Sequence, residues 1–133
     1  MLVGVADTHI VIWYIYANPR LSVTAKAFID TASANSDQIG VSSITLIEMV
    51  YLIEKGRIAA ESFTRLAIAL LEPDSPFIEV PLDLRVARTL SRVDVVKVPD
   101  MPDRIITATA LYLNAPVISK DGKIQLSDVT TIW

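Results

Sequence analysis

The chain has 133 residues, of which 52% are hydrophobic, and its formal net charge at pH 7 is −3. It contains no cysteine and one histidine, which excludes disulfides, thiolate metal sites and zinc sites built from several imidazoles. The acidic balance excludes a general basic field that would recruit nucleic acid, so any such contact would need local cations or a bound metal.

The first half of the chain alternates short apolar runs with helical patterns. Runs rich in β-branched residues predict strands, and apolar residues at helical spacing predict helices. In chain order, the predicted elements are strand Leu2–Ala6, helix Thr8–Tyr16, helix Ser22–Ala34, strand Gln38–Val41, a helix from Ser42 to about Glu54, and helix Ala59–Leu71. Ser22 or Thr24 is predicted to cap the second helix, and Gly56 to end the third.

The second half continues the same alternation. Its predicted elements are strand Phe77–Val80, helix Leu82–Val93, helix Asp100–Asn114, strand Ala115–Ser119, a turn or short helix over Asp121–Leu126, and strand Thr130–Trp133. Apolar strands that alternate with helices predict a parallel sheet covered on both faces. We therefore expect residues 1–133 to form one α/β domain, with ligands bound at the carboxyl ends of the strands.

The start of the chain does not have the pattern of a signal peptide. Met1–Ala6 has no basic segment, and Asp7 and His9 interrupt the apolar stretch. The apolar run Ile10–Ala17 is shorter than the about 20 residues that a membrane-spanning helix needs. We expect no membrane association and a cytoplasmic location.

Two acidic residues follow predicted strands. Asp7 comes directly after the first strand, and Asp121 comes shortly after the fourth. Each also has an ordinary structural explanation, because Asp7 could cap the next helix and Asp121 could belong to a turn with Gly122. Both explanations stay open at this point.

Two further acidic residues lie on predicted helices. Glu48 shares a stripe with Ile44, Tyr51 and Leu52, where burying an unpaired carboxylate would be costly. Asp103 is predicted at the third position of a helix capped by Asp100, where an acid favours the helix dipole without any catalytic role. Its helical spacing to Ile106 and Ala110 nevertheless directs it toward the sheet.

A doubly wound sheet would bring all four acids to one edge. Two carboxylates about 5 Å apart repel each other by about 3 kcal/mol at an effective dielectric near 20. Several such pairs could not all stay ionised without a compensating cation. Oxygen ligands without sulfur or imidazole suit Mg²⁺ or Mn²⁺.

The four acids lie in segments that together resemble a PIN domain, and more narrowly the VapC-type toxins of bacterial and archaeal toxin–antitoxin pairs. The segments are Val5–His9, Ser42–Glu48, Pro102–Ala110 and Ile118–Asp121. The resemblance implies a three-layer α/β/α fold with a parallel five-stranded sheet of order 3-2-1-4-5. It also implies a metal-dependent endoribonuclease that hydrolyses RNA with a metal-activated water, is blocked by a cognate antitoxin and pairs as a homodimer.

The resemblance also implies roles for individual residues. The catalytic and metal-binding set would be Asp7, Glu48, Asp103 and Asp121, with Thr8 and Ser42 as accessory polar groups. The cations nearest these acids in the sequence are candidate phosphate contacts, namely Arg104, Lys120 and Lys123. A second basic patch could form from cations at helical spacing, namely Arg85, Arg88 and Arg92.

The first predicted helix is apolar on nearly every side and carries Trp13, Tyr14 and Tyr16. Such a helix is either enclosed within the chain or partly buried in a partner protein. His9, near its start, is expected to be structural or to support the acids, and we assign it no proton transfer.

Two other functions remain open. A phospho-receiver module is also small, doubly wound and acidic at its site, and Ile118–Lys120 resembles its late lysine segment. However, a receiver needs its phosphorylated aspartate at a strand end, whereas Glu48 is predicted within a helix, and Asp7 lacks the usual paired acid. The third possibility is a PIN-like fold that serves as a scaffold without catalysis.

Overall fold

A computed structural model describes residues 1–125 and 127–133. Leu126, the last residue of the turn or short helix predicted over Asp121–Leu126, lies outside the described residues. The strands are β1 (Leu2–Ala6), β2 (Gln38–Ser42), β3 (Phe77–Val80), β4 (Val117–Ile118) and β5 (Thr131–Ile132). The helices are α1 (Thr8–Ile15), α2 (Val23–Ala34), α3 (Ser43–Glu54), α4 (Ser62–Leu71), α5 (Leu84–Leu90), α6 (Met101–Leu113) and α7 (Gly122–Gln125).

The five strands form one parallel sheet in the order β3-β2-β1-β4-β5, which confirms the predicted order. β1 is central, with Val5 opposite Gly40 of β2 on one side and Val117 of β4 on the other. The chain leaves β1 toward β2 and later returns to the opposite side at β4. This reversal creates a crevice at the carboxyl ends of β1 and β4, where open parallel sheets bind ligands.

Two hydrophobic cores cover the two faces of the sheet. Successive residues of a strand point to opposite faces, and the central strands follow this rule. Ala6 and Ile118 pack into the core formed with α1, α2 and α4, whereas Val5 and Val117 pack into the core formed with α5 and α6. All four residues are fully buried. The central strands are therefore held rigidly from both sides up to the residues where they end.

Helix α3 contributes to both cores, with Ile44 in one and Met49 in the other. It starts directly after β2, where the Ser42 hydroxyl accepts a hydrogen bond of 3.2 Å from the main-chain N–H of Ile44. Because α3 packs into both layers, Glu48 is fixed at the carboxyl edge of the sheet.

Some predicted helix boundaries are wrong. Helix α5 spans Leu84–Leu90, not Leu82–Val93, because the Asp83 carboxylate caps it by accepting hydrogen bonds from the first main-chain N–H groups. Arg92 therefore lies beyond the helix, and the three arginines predicted along one helical face do not share one helix. Helix α4 begins at Ser62, later than predicted, after a turn in which the Ala59 carbonyl accepts from the Ser62 N–H.

The aromatic residues of α1 pack against other parts of the same chain. Tyr14 meets the ring of Phe77 edge-on, with centroids 5.6 Å apart, and its hydroxyl donates to Asp30 at 2.7 Å. The ring centroids of Trp13 and Trp133 lie 6.2 Å apart. Each side chain remains half-buried. In the described part of the chain, no helix combines the length and apolar character needed to cross a bilayer.

Candidate active site

The crevice at the carboxyl ends of β1 and β4 opens into a cavity of about 420 Å³. The four acids singled out in the sequence come together there. A fifth carboxylate, Asp100, joins them, although the sequence indicated only a helix cap at this position. The lining residues are Asp7, His9, Ile10, Trp13, Glu48, Asp100, Asp103, Lys120 and Asp121.

Asp7 is held in place by a serine that sequence reasoning missed. Asp7 is 7% exposed, and its Oδ2 accepts a hydrogen bond of 2.8 Å from the hydroxyl of Ser119, which is fully buried. The same hydroxyl accepts from the main-chain N–H of Asp121 at 2.9 Å. Ser119 therefore ties the end of β4 to two of the acids. The available signal was a polar residue that ends a buried apolar strand.

Glu48 is held by a pair of buried threonines. The hydroxyl of Thr8 donates to Glu48 Oε1 at 2.6 Å and lies 3.0 Å from the hydroxyl of Thr45. Ile44 is buried beside this site, but Tyr51 is 61% exposed. The predicted apolar stripe around Glu48 is thus wrong at Tyr51, because α3 turns that position toward solvent.

Asp103 and Asp121 combine a local structural role with their position in the cavity. The carboxylate of Asp100 caps α6 by accepting from the main-chain N–H of Asp103 at 3.4 Å. Asp121 Oδ1 accepts from the main-chain N–H groups of Lys123 and Ile124 at 2.8 and 3.2 Å. The helix-cap and turn roles that the sequence indicated therefore do not prevent Asp103 and Asp121 from lining the cavity.

Burial and mutual repulsion raise the pKa values of three of these acids. Burial is the main cause at each of them. For Asp103, burial together with the charges of the other four carboxylates raises the pKa to about 7. The pKa of Glu48 is raised by burial and by neighbouring acids, against the opposing hydrogen bond from Thr8. Burial also raises the pKa of Asp7, against the opposing hydrogen bond from Ser119.

Two groups bring positive character to the cavity. His9 is exposed at its rim, and its charge acts to lower the pKa values of Asp7 and Glu48. Lys120 Nζ lies 5.9 Å above the ring of Trp133. These groups offset part of the negative charge, yet the pKa of Asp103 still rises to about 7.

Three other residues predicted at the site have different surroundings. The Ser42 hydroxyl is buried and caps α3, so it is occupied by the main chain. Arg104 donates from Nε to the Val93 carbonyl and from Nη2 to the Leu90 carbonyl, both at 3.1 Å. Arg104 thus fastens the end of α5 and the residues after it to helix α6, and its contact with phosphate stays a prediction. Lys123 is exposed beside Asp121 and does not line the cavity.

The carboxylates have the donor chemistry of a site for a hard divalent cation. All the acidic donors are oxygens, and burial together with the neighbouring negative charges raises the pKa of Asp103 to about 7. Within residues 1–125 and 127–133, no three acidic or imidazole side chains stand close enough together to hold a metal ion as placed. The cavity is therefore an open acidic cleft with the right donors and without a closed coordination sphere.

Comparison with known proteins gives consistent results. A model of the PIN domain family matches residues 5–129. No curated protein matches the chain. Among solved structures, VapBC2 from Rickettsia felis bound to a promoter DNA fragment has a TM-score of 0.72 and 17% identity, covering 98% of this chain and 97% of that one.

Two further solved structures share the fold. A toxin–antitoxin complex from Klebsiella pneumoniae has a TM-score of 0.63 and 22% identity, covering 98% of this chain and 96% of that one. FitAcB from Neisseria gonorrhoeae has a TM-score of 0.61 and 19% identity, covering 97% and 96% respectively. At these identities the likeness establishes the fold alone.

Asp103→Asn should stabilise the metal-free protein at alkaline pH. The native chain binds the Asp103 proton more tightly than the unfolded chain does, since the native pKa is about 7 against an ordinary value of 3.8. The free energy of unfolding should therefore fall as pH rises between these two values. We expect the variant to raise Tm by roughly 2–5 °C near pH 8, and the gain to shrink toward pH 4.

Thermal unfolding in the presence of a chelator, followed by circular dichroism across this pH range, measures the effect. Asp74→Asn, at an exposed position on a loop, is the matched control and should change Tm little. A gain for Asp103→Asn that is the same at both ends of the range would contradict the repulsion among the acids.

Arg104→Gln should destabilise the fold. The substitution removes two charge-assisted hydrogen bonds to the Leu90 and Val93 carbonyls, and we expect the free energy of unfolding to fall by about 1–3 kcal/mol. Urea unfolding measures it, with the exposed Arg88→Gln as the control. Unchanged stability combined with weakened RNA binding would instead support the phosphate contact predicted from the sequence.

Proposed function

The chain belongs to the PIN domain family, and from that premise we propose that it is a divalent-metal-dependent endoribonuclease and the toxin of a toxin–antitoxin pair. The observation that carries the proposal is the set of five carboxylates around one cleft, in which the pKa of Asp103 rises to about 7. A stably folded protein gains little from such repulsion unless the site binds a cation. The reaction proposed is hydrolysis of RNA phosphodiester bonds.

The proposed ligands of the cation are Asp7, Glu48, Asp103 and Asp121, and the proposed ion is Mg²⁺ or Mn²⁺. Their oxygen donors suit such hard ions. When bound, the ion would lower the pKa of a coordinated water and offset negative charge on the phosphate. The scissile phosphate carries its own negative charge, so without a cation it would be repelled from this cleft.

The residues of this chain then have separable tasks. Ser119 and Thr8 fix one oxygen each of Asp7 and Glu48, so these ligands face the cleft in a defined orientation. The free part of the Asp121 carboxylate, held through Oδ1 by main-chain N–H groups, would orient the attacking water or help hold a second metal. Lys120 would contact a phosphate from the rim.

The proposed partners are an RNA substrate, a cognate antitoxin and a second copy of the chain. The solved structures with the same fold include a toxin–antitoxin complex, which supports the antitoxin. Helix α4 exposes Ile68 and Leu71 to solvent, with 54% and 84% of their surface accessible, and such residues suit a protein interface.

Asp7→Asn should abolish most of the RNA cleavage. The amide conserves the shape of Asp7 and can still accept the hydrogen bond from Ser119, but it removes the charge. We expect the rate of cleavage of total RNA with Mg²⁺ or Mn²⁺ to fall at least about 100-fold. Asp74→Asn, the same change at an exposed loop position, should retain the activity. Equal activity of wild type and Asp7→Asn would refute the proposed role, and an inactive wild type would favour the scaffold.

Mg²⁺ should stabilise the wild-type protein against heat more than it stabilises a variant that lacks a proposed ligand. A ligand that binds the native state at about 100 times its Kd adds about 2.7 kcal/mol of stability. We expect millimolar Mg²⁺ to raise the Tm of the wild type clearly and that of Asp103→Asn much less. The measurement is thermal unfolding with and without Mg²⁺, with Ca²⁺ as a second ion; equal shifts in both proteins would contradict the ligand set.

A further inference from the structure

A second cavity, of about 690 Å³, adjoins the acidic cleft. The two cavities share four lining residues, His9, Trp13, Glu48 and Asp100. The second cavity is also lined by three cations that the acidic cleft lacks, Arg20, Lys55 and Arg57. The two cavities thus form one groove that is acidic at one end and basic at the other. We call the part of this groove that is lined by the three cations the basic groove.

The three cations of the basic groove are free to meet a ligand. All three are exposed, and none of them forms a salt bridge with the residues that the structure describes. Two arginines elsewhere are engaged: Arg104 by main-chain carbonyls, and Arg85 by the hydroxyl of Tyr112 at 3.4 Å. The net charge of the whole chain is −3, so three cations lining one cavity differ in sign from the protein as a whole.

Helix α3 fixes the distance between the acidic and basic ends. Glu48 and Lys55 are seven residues apart, which places them on one helical face about 10.5 Å apart along the axis. The helix ends at Glu54, and Gly56, two residues later, has a φ of +67° that allows the main chain to reverse. The Arg57 N–H donates back to the Leu52 carbonyl at 2.9 Å. Lys55 and Arg57 are therefore held on either side of a well-defined turn.

Aromatic rings line the groove between its two ends. Trp13 borders both cavities and lies 5.8 Å from the ring of His9. Tyr51 lies one turn of α3 from Glu48 on the way to Lys55, and its side chain is 61% exposed. Exposed aromatic faces beside a row of cations are the usual means of binding single-stranded nucleic acid, because bases stack on the rings while cations contact the phosphates.

We propose that the basic groove binds the single-stranded RNA that flanks the scissile bond. Arg20, Lys55 and Arg57 contact its phosphates, Tyr51 stacks against a base, and the strand continues past Trp13 into the acidic cleft. The inference rests on the proposed ribonuclease function and extends it by naming where the substrate lies. It replaces the basic patch of Arg85, Arg88 and Arg92 that the sequence indicated.

The first test measures RNA binding without cleavage. A fluorescently labelled single-stranded oligoribonucleotide of mixed sequence is titrated with protein in EDTA, and the affinity is followed by anisotropy over a range of salt. The triple variant R20Q/K55Q/R57Q should reduce the slope of log K against log salt by about 2, since each phosphate contact to a single strand contributes about 0.7. At about 0.1 M salt this corresponds to an affinity loss on the order of 100-fold.

The matched control changes the same charge elsewhere. R85Q/R88Q/R92Q also removes three positive charges, two from α5 and one from the loop that follows it. This variant should leave the affinity for RNA within about twofold of wild type. An equal loss in both triple variants would mean that only net charge matters, and a loss confined to the control would restore the patch predicted from the sequence. Either result overturns the basic groove.

Tyr51 distinguishes RNA from a protein polyanion. Tyr51→Leu removes the stacking ring from an exposed position, and Tyr51→Phe retains it. We expect Tyr51→Leu to weaken RNA binding about tenfold, with Tyr51→Phe close to wild type. Binding of poly-glutamate should be the same in both variants, because it has no bases to stack. Loss of poly-glutamate binding in Tyr51→Leu with unchanged RNA binding would assign the groove to an acidic protein segment.

Cleavage assays with metal separate this inference from the proposed function. If the groove binds substrate, R20Q/K55Q/R57Q raises KM strongly and lowers kcat little. If wild type cleaves RNA and the triple variant cleaves it with the same KM, the ribonuclease stands and the basic groove is refuted. A wild type that neither binds nor cleaves RNA refutes both.

Discussion

Repulsion among carboxylates that cannot move apart is the constraint on which the candidate site depends. The end of the central strand, the middle of α3 and the start of α6 each bring an acid to the same cleft. The fold supplies hydrogen bonds from Ser119 and Thr8 to two of them, but these donors do not remove the negative charge. Burial, and then the charges of the other four acids, raise the pKa of Asp103 to about 7. Under the proposed function, a divalent cation bound at this site would offset the charge and would allow an acidic protein to act on a polyanion.

The arrangement follows from the sheet. Because β1 and β4 are parallel neighbours, the residues that follow them emerge side by side, and Ser119 can bridge Asp7 and the main chain of Asp121. Helix α3 packs into both cores, so Glu48 cannot swing away without disturbing both layers. The positions of the acids are therefore set by the interior of the protein, where shifts are costly.

Much of the fold was predictable from the sequence. The β-branched runs predicted strands β1 and β3 with the bounds that the structure has. The four ordered segments indicated the PIN resemblance, which the family match confirms, and the resemblance implied the sheet order, which the topology confirms. These features depend on local periodicity and on the polarity of parallel strands. The convergence of Asp7, Glu48, Asp103 and Asp121 was inferred from the same polarity.

Features that depend on packing between distant segments were not predictable. The bond from Ser119 to Asp7 joins residues 112 positions apart, and no local pattern indicates it. Arg104 is adjacent to Asp103 in sequence, yet its guanidinium reaches one carbonyl at the end of α5 and one beyond it, because a long side chain can be directed away from its neighbour. Arg20 and Arg57 come from separate loops, so the sequence does not indicate that they line one cavity together with Lys55. The exposure of Tyr51 likewise reflects how α3 is rotated in its place.

The double anchoring of α3 has a consequence for how this sequence could diverge. One residue inserted between Glu48 and Lys55 would rotate the two ends of the helix by about 100° relative to each other. The acid or the cation would then leave the groove, while Ile44 and Met49 hold the front half of the helix in place. Insertions and deletions should therefore be tolerated in the loop after Arg57 and disfavoured within this helix, so that the seven-residue interval is inherited as a unit.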